Sequence, residues 1–372
     1  MAQGYSLKDQ LFNAEKVGYL AGLFRQVDPG FDPQFEARCL SRFPELELKA
    51  RIAWIADCLI PALPEHFPAA ADLIEAALPP PLDPSLKDDD FGDFIFCSLG
   101  DYAVLRGLEQ HRDRALDLLE ALTQRFSMEY AIRFFINRWP GESFARLEQW
   151  AGHDSYHVRR LVSEGTRPKL PWGQGIATAP DLPLPLLDRL HADGTRFVTR
   201  SVANHLNDIT KSDPDTVLDR LSAWQGEGRQ TPAELEWMTR HALRGLVKAG
   251  DPRALALLGY RADAPLTASL RLAAETVAIG QVLEVKAEIS SPEDLPVIVD
   301  YVLTFHRPTG RPGRKVFKLK QTAVSAGRAL KLAKRHPLKG DATTFRLHPG
   351  PHRVELQVNG RICASADFNL TG

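Results

Sequence analysis

The chain lacks long apolar runs: nowhere in its 372 residues does one approach the ~18 needed to cross a membrane. A soluble protein is expected. The opening MAQGYSLKDQLFNAEK mixes charges and has no basic-then-apolar leader, so the expected location is cytoplasmic. Cysteine is scarce. Cys39, Cys58, Cys97 and Cys363 lie far apart with no C-x-x-C pair, which argues against a disulfide framework or a zinc site and predicts buried, reduced thiols. Neither G-x-G-x-x-G nor a P-loop follows a strand pattern, which excludes the common dinucleotide and nucleotide folds. His153 and His157 are spaced for a metal, but HDSYH lacks the glutamate of H-E-x-x-H, so no metal and no cofactor is expected.

What is present is an asymmetry beneath a net charge of −1. Up to Tyr260 there are 29 basic and 37 acidic residues, and beyond it 17 and 10, so the two parts carry −8 and +7. Tyr301 to Gly340 holds eleven Lys/Arg, among them Arg311, Arg314, Lys315 and Lys318, and no acid. A run this one-sided is either a solvated basic sheet face or a surface for a polyanion.

Apolar spacing changes with the charge. From Leu7 to about Tyr260, segments such as AIRFFINRW and VLDRLSAW repeat with helical period; from about Ala268, VLEVKAEI, VIVDYVLTF and HRVELQV alternate, and Asn359-Gly360 marks a tight hairpin. PPPLDPSLKDDDFGDF, Pro79 to Phe94, reads as a connecting loop within the helical part. HVRRLVSEG, FVTRSVANH and WMTRHALRG stand forty residues apart, each placing an arginine (Arg160, Arg200, Arg240) after an apolar residue. The expected fold is a HEAT-like α-helical solenoid (1–262) followed by a small immunoglobulin-like β-sandwich (268–372).

On this geometry Val158, Leu161, Val162 and Gly165 form the packed stripe, which puts Arg160 and Glu164 on a more exposed face. The equivalent faces carry Arg200, Asn204 and Asp208, then Arg240, Arg244 and Lys248. Glu164 and Asp208 on neighbouring helices are placed to converge on a small cationic group, unless each merely pairs with a local arginine or lysine. The loop GTRPKLPWGQG follows. Gly165 is expected to close its helix with a left-handed cap, and Pro168 and Pro171 stiffen the backbone around Trp172, which either fills a gap between repeats or offers its ring to a sugar or cationic base.

HVRRLVSEGTRPKLPWG resembles the signature of the AlkC-type DNA alkylation repair glycosylases, in the HEAT-like AlkC/AlkD superfamily. The resemblance extends over LKDQLFN, ELELKARI, SMEYAIRFF and RFVTRSVANHLNDITK, and the β-sandwich is similar to the immunoglobulin-like domain found in part of that family. It implies excision of cationic alkylated bases, chiefly 3-methyladenine and 3-methylcytosine, from double-stranded DNA without base flipping; a monomer is expected, because a duplex-sized concave face works as a single subunit. It also implies that Glu164, Asp208 and Trp172 are catalytic and that Glu129 is a further acid lining the site. Arg159 and Arg160 would hold phosphates or orient the acids, Arg167, Lys169, Arg200, Asn204, Arg240 and Arg244 would contact DNA, and the basic run of the sandwich would bind backbone without reading sequence. The alternatives left open are a protein-binding scaffold and a non-catalytic binder of damaged or branched DNA.

Overall fold

The computed structural model describes residues 6–341 and 345–372. Helices occupy the chain as far as Leu257 and strands take over at Thr267, where the hydrophobic period changes. Two compact units result: one runs to Ser212 and includes Gly228–Met238, and the other consists of Asp213–Glu227 and Thr239–Gly372.

In the first unit helices stack in sequence order. Leu48–Leu59 packs on Cys97–Gly107, Phe67–Ala77 on Arg112–Thr123, and Tyr156–Gly165 on Arg196–Ile209. The forty-residue repeat falls on helices Tyr156–Gly165, Arg196–Ile209 and Pro232–Ala242, and the apolar residue leading each one, Val158, Val198 or Met238, is fully buried. Pro140, Pro214, Pro232 and Pro252 each open a helix, where a fixed φ and a missing N–H cost nothing. The Pro/Asp-rich loop is fastened to the unit: the Lys87 carbonyl accepts from Phe197 N at 2.9 Å, Phe91 meets the Phe197 ring edge-on at 5.2 Å, and Asp88 and Asp89 pair with Arg200.

Gly165 departs from expectation. Its helix continues through it to a cap at Thr166, and it is absent from the positive-φ residues. Its missing side chain serves packing instead, because a Cβ there would stand 2.6 Å from Ile132 Cγ2.

The second unit carries β1 (Thr267–Leu272), β2 (Thr276–Ala278), β3 (Val282–Ser290), β4 (Leu295–Phe305), β5 (Gly313–Val324), β6 (Leu330–Pro337), β7 (Gly350–Val358) and β8 (Arg361–Thr371). They form sheets β1-β3-β6 and β2-β8-β7-β4-β5, antiparallel except where β2 meets β8. Alternate residues of both sheets, including Val285, Tyr301, Leu303, Val354 and Phe368, close the core between them. Asn359 (φ 45°) and Gly360 (φ 80°) make the predicted turn between β7 and β8. The basic run is divided between the sheets: Arg314, Lys315, Lys318 and Lys320 lie on β5 and Lys331, Lys334 and Arg335 on β6, the end strand of each sheet. Charge on an edge strand also discourages pairing with another chain.

Candidate active site

Helices Tyr156–Gly165 and Arg196–Ile209 meet along a seam of alternating charge. Arg160 Nη1 donates to Glu129 Oε2 at 3.0 Å and its Nη2 lies 3.8 Å from Glu164 Oε2. Arg167 Nη1 donates to Glu164 Oε1 at 2.6 Å, while its Nε and Nη2 reach Asp208 Oδ2 at 3.0 and 2.9 Å. Lys211 Nζ ends the chain on Asp208 Oδ1 at 2.8 Å. Glu164 and Asp208 thus converge on one cationic group, the Arg167 guanidinium.

The face expected to be exposed is buried. Arg160 is 8% exposed and Glu164 and Asp208 are each 6% exposed. The helical pattern of one segment treats charge as outward-facing, but here the countercharges come from outside the two helices, Glu129 from a turn earlier in the chain and Arg167 from the loop after the first helix, and opposite charges 2.6–3.0 Å apart let the faces pack. Around them Ser201 Oγ donates to Glu164 Oε2 at 2.6 Å, the Arg160 guanidinium lies 4.4 Å over the Phe197 ring, and His205 Nδ1 contacts the Ser163 carbonyl at 3.0 Å.

The environment drives the two glutamates apart. Burial would raise Glu164, but the Arg160 and Arg167 charges and the Ser201 hydroxyl outweigh it and hold its carboxyl below the ordinary range. Burial raises Glu129, and the neighbouring Glu164 charge adds to the rise, against the opposing pull of Arg160. His205 and His157 are pushed down to about 4 by burial and are neutral at physiological pH.

The loop after the first helix is held by a residue not singled out from sequence. Arg133, fully buried on helix Ile132–Arg138, donates Nε to the Gln174 carbonyl at 2.5 Å and Nη1 to the Gly165 and Arg167 carbonyls at 2.9 Å each. Burial, with repulsion from Arg167, lowers its guanidinium to about 10. Asn137 fastens the outgoing strand of the loop through Gly175 O and Ala177 N, each at 2.9 Å. Between these clamps Trp172 adopts φ 67°, a left-handed conformation that strains a bulky residue, and the residue is 52% exposed. Lys49 donates to the Trp172 carbonyl. Trp172 therefore presents an open ring and does not fill the core, as Trp150 and Trp224 do.

Beside the seam a cleft of about 320 Å³ is walled by Trp172, Tyr130, Phe134, Phe94 and Ile52. It also contains Asp101, whose carboxyl is pushed up to about 6 by burial alone. Tyr130 is raised chiefly by burial and also by the charges of Glu129 and Glu164, which places the cleft next to the acids.

The other cations expected to bind DNA are placed differently. Arg159 turns from the acids to Asp193 (2.5 Å) and to the carbonyls of His153 and Asp154 (2.7 and 2.8 Å), where it fixes the entry to its helix. Arg160 and Arg167 belong to the seam, Arg200 is taken by Asp88 and Asp89, and Asn204 is half-buried. Lys169 is exposed. In the second unit Arg240 is half-buried and Arg244 exposed; Arg311, Arg314 and Lys318 are exposed, and Lys315 lies 4.4 Å over the Phe345 ring.

Residues 267–372 match the family model described as "Uncharacterised protein YhaZ, C-terminal Ig-like domain". Over 367 residues, 97% of this chain and 98% of the relative, the sequence is 31% identical to the uncharacterized protein YhaZ of Bacillus subtilis. The solved structure of the alkylpurine DNA glycosylase AlkC of Pseudomonas fluorescens, bound to DNA containing an abasic site analog, matches with a TM-score of 0.86 and 32% identity over 99% of this chain and 100% of that one. Likeness on this scale spans the segments that carry Glu129, Glu164 and Asp208 as well as the sandwich, and on it the chain belongs to the AlkC-type family of DNA alkylation repair glycosylases with a C-terminal immunoglobulin-like domain.

Proposed function

We propose that this chain is a DNA glycosylase that hydrolyses the N-glycosidic bond of cationic alkylated bases, 3-methyladenine and 3-methylcytosine, in duplex DNA without base flipping, as a step of base excision repair. The observation that carries the reading is the pairing of Glu164, held ionised in a low-dielectric seam, with Asp208 across a shared cation. A cationic base needs no acid to protonate it as it leaves. The C1′–N bond breaks with its electron pair passing to the base, which leaves neutral, and positive charge develops on the sugar. Fixed carboxylates stabilise that charge, because they are already oriented when it forms. Water adds to C1′ and gives up a proton, for which Glu129, with its raised carboxyl, is the better acceptor.

Arg167 then acts as a placeholder. Its guanidinium neutralises Glu164 and Asp208 in the free protein, and DNA phosphates compete for it when the damaged site arrives. Trp172 stacks beside the deoxyribose and favours the cationic state. Residues 1–262 form the catalytic domain, and 268–372 add phosphate contacts through the exposed cations of β5 and β6, an affinity that falls steeply with salt.

The test is single-turnover release of methylated bases from methylated duplex DNA by the wild type, Glu164→Gln and Asp208→Asn, with binding to an abasic duplex measured in parallel. Release by the wild type that falls about 10²–10³-fold in the variants, with binding kept, supports the reading. No release by folded wild type removes it.

A further inference from the structure

The catalytic reading leaves the cleft unexplained, and with it the ELELKARI segment, whose Lys49 holds the Trp172 carbonyl. At about 320 Å³ the cleft lies at the small end of ligand sites. It has room for one heterocycle and not for a nucleotide with its phosphates. Its walls are the rings of Trp172, Tyr130, Phe134 and Phe94, surfaces on which a flat heterocycle stacks. Among the described residues no hydrogen bond or ion pair holds the Asp101 carboxylate, and the cation in the cleft wall, Lys49, is committed to a backbone carbonyl. An unpartnered, half-buried carboxyl among aromatic rings is costly to keep unless something binds to it.

We propose that this cleft is a binding site for a single free nucleobase bearing an exocyclic amine, the leaving group of the reaction, which stacks against Trp172 and Tyr130 and forms a two-point hydrogen-bonded pair with Asp101. The inference rests on the glycosylase reading for the identity of its ligand. An adenine-type base offers an amine donor beside a ring-nitrogen acceptor, the edge that a side chain with one donor and one acceptor reads bidentately. A protonated carboxyl has that pair of groups. So does the alternative arrangement, in which the proton resides on the base and a carboxylate accepts twice; both are the same complex with one proton between the partners. Burial holds Asp101 where that proton is readily taken up near neutrality. The cleft adjoins the acids, since Tyr130 on its wall directly follows Glu129 in the chain.

The experiment titrates free 3-methyladenine into the full chain and follows saturable binding by tryptophan fluorescence and by saturation-transfer NMR. The wild type is expected to bind with a dissociation constant on the order of 1 mM or tighter. Asp101→Leu, similar in size and without polar atoms, should weaken binding at least about tenfold, and Asp101→Asn, which keeps one donor and one acceptor, should stay within about threefold. Circular dichroism and melting temperature establish that both variants fold. If Asp101→Leu does not fold, Phe134→Ala takes its place and should weaken binding by a similar factor. Absence of saturable binding, or equal binding by wild type and Asp101→Leu, overturns the proposal. Glu164→Gln separates the two readings: free-base binding kept while excision is lost supports both. Binding that depends on Asp101 in a chain with no excision supports the cleft and removes the glycosylase reading, whereas excision without binding removes the cleft alone.

Discussion

Glu164 and Asp101 are two carboxylates of one helical unit with opposite fates. Glu164 is the more deeply buried, yet two guanidinium groups and a serine hydroxyl keep it ionised. Asp101 is half-buried in an aromatic cleft and, with no partner, is pushed up to about 6. Burial alone therefore does not set the charge of a carboxyl; the count of donors aimed at it does. The seam is built for a constant charge and the cleft for a group that gains and loses a proton.

The sharpest way to break this comparison is to remove the constant charge. Glu164→Gln keeps size and a hydrogen-bonding edge but loses the charge, and should lower single-turnover base release about 10²–10³-fold. Because its carboxyl lies below the ordinary range, the wild-type rate should not fall through protonation of Glu164 until the pH is below the usual glutamate value of about 4.3. A rate that collapses already between pH 6 and 5 through this group, traced by comparison with Glu164→Gln, would contradict the assignment.

Next in size is the scaffold beneath both sites. Arg133→Ala strips three carbonyls, one buried and two part-buried, of their donor and should cost on the order of 3 kcal/mol in urea unfolding. Arg133→Lys should recover little, since a single ammonium does not reproduce the guanidinium fork. Equal stability of Arg133→Lys and wild type would show that the loop is held by other contacts.

A smaller effect of opposite sign is expected in the cleft. With a folded-state value of about 6 against 3.8 for the free group, the folded protein binds the proton more tightly, so stability falls as pH rises from about 4 to 6 and stays lower above. Asp101→Asn removes that penalty and should be more stable than wild type by about 1–3 kcal/mol at pH 7.5, with the difference closing near pH 4. A constant difference across that range would mean that Asp101 does not titrate as proposed. The smallest effect belongs to Trp172: glycine relieves its left-handed backbone, so Trp172→Gly should be about 1 kcal/mol more stable than Trp172→Ala, although both lose the exposed indole.

Much of this site is legible in the sequence because it lies in two segments. HVRRLVSEG and FVTRSVANHLND place Glu164 and Asp208 on repeat helices, and the prolines of the following loop point to Trp172 as a presented ring. What is not legible depends on partners far along the chain. Arg160 reads as an outward residue until Glu129, thirty-one positions earlier, arrives from another element. Arg200 reads as a phosphate ligand, but Asp88 and Asp89 of the acidic loop neutralise it, joined only by the fold. Arg133 leaves no trace because its partners are carbonyls, which every residue has. The small size of Gly165 suggested a turn, whereas the close approach of Ile132 requires it.

The alternating order of the seam carries a consequence for how such a protein diverges. Glu129, Glu164 and Asp208 are matched one for one by Arg160, Arg167 and Lys211, so the set is neutral as a whole. Except at Lys211, which is exposed, a lone replacement that changes a charge leaves a buried partner short of its countercharge, whereas a paired exchange preserves the sum. Among relatives, Arg167 and Asp208 should accordingly vary together or not at all.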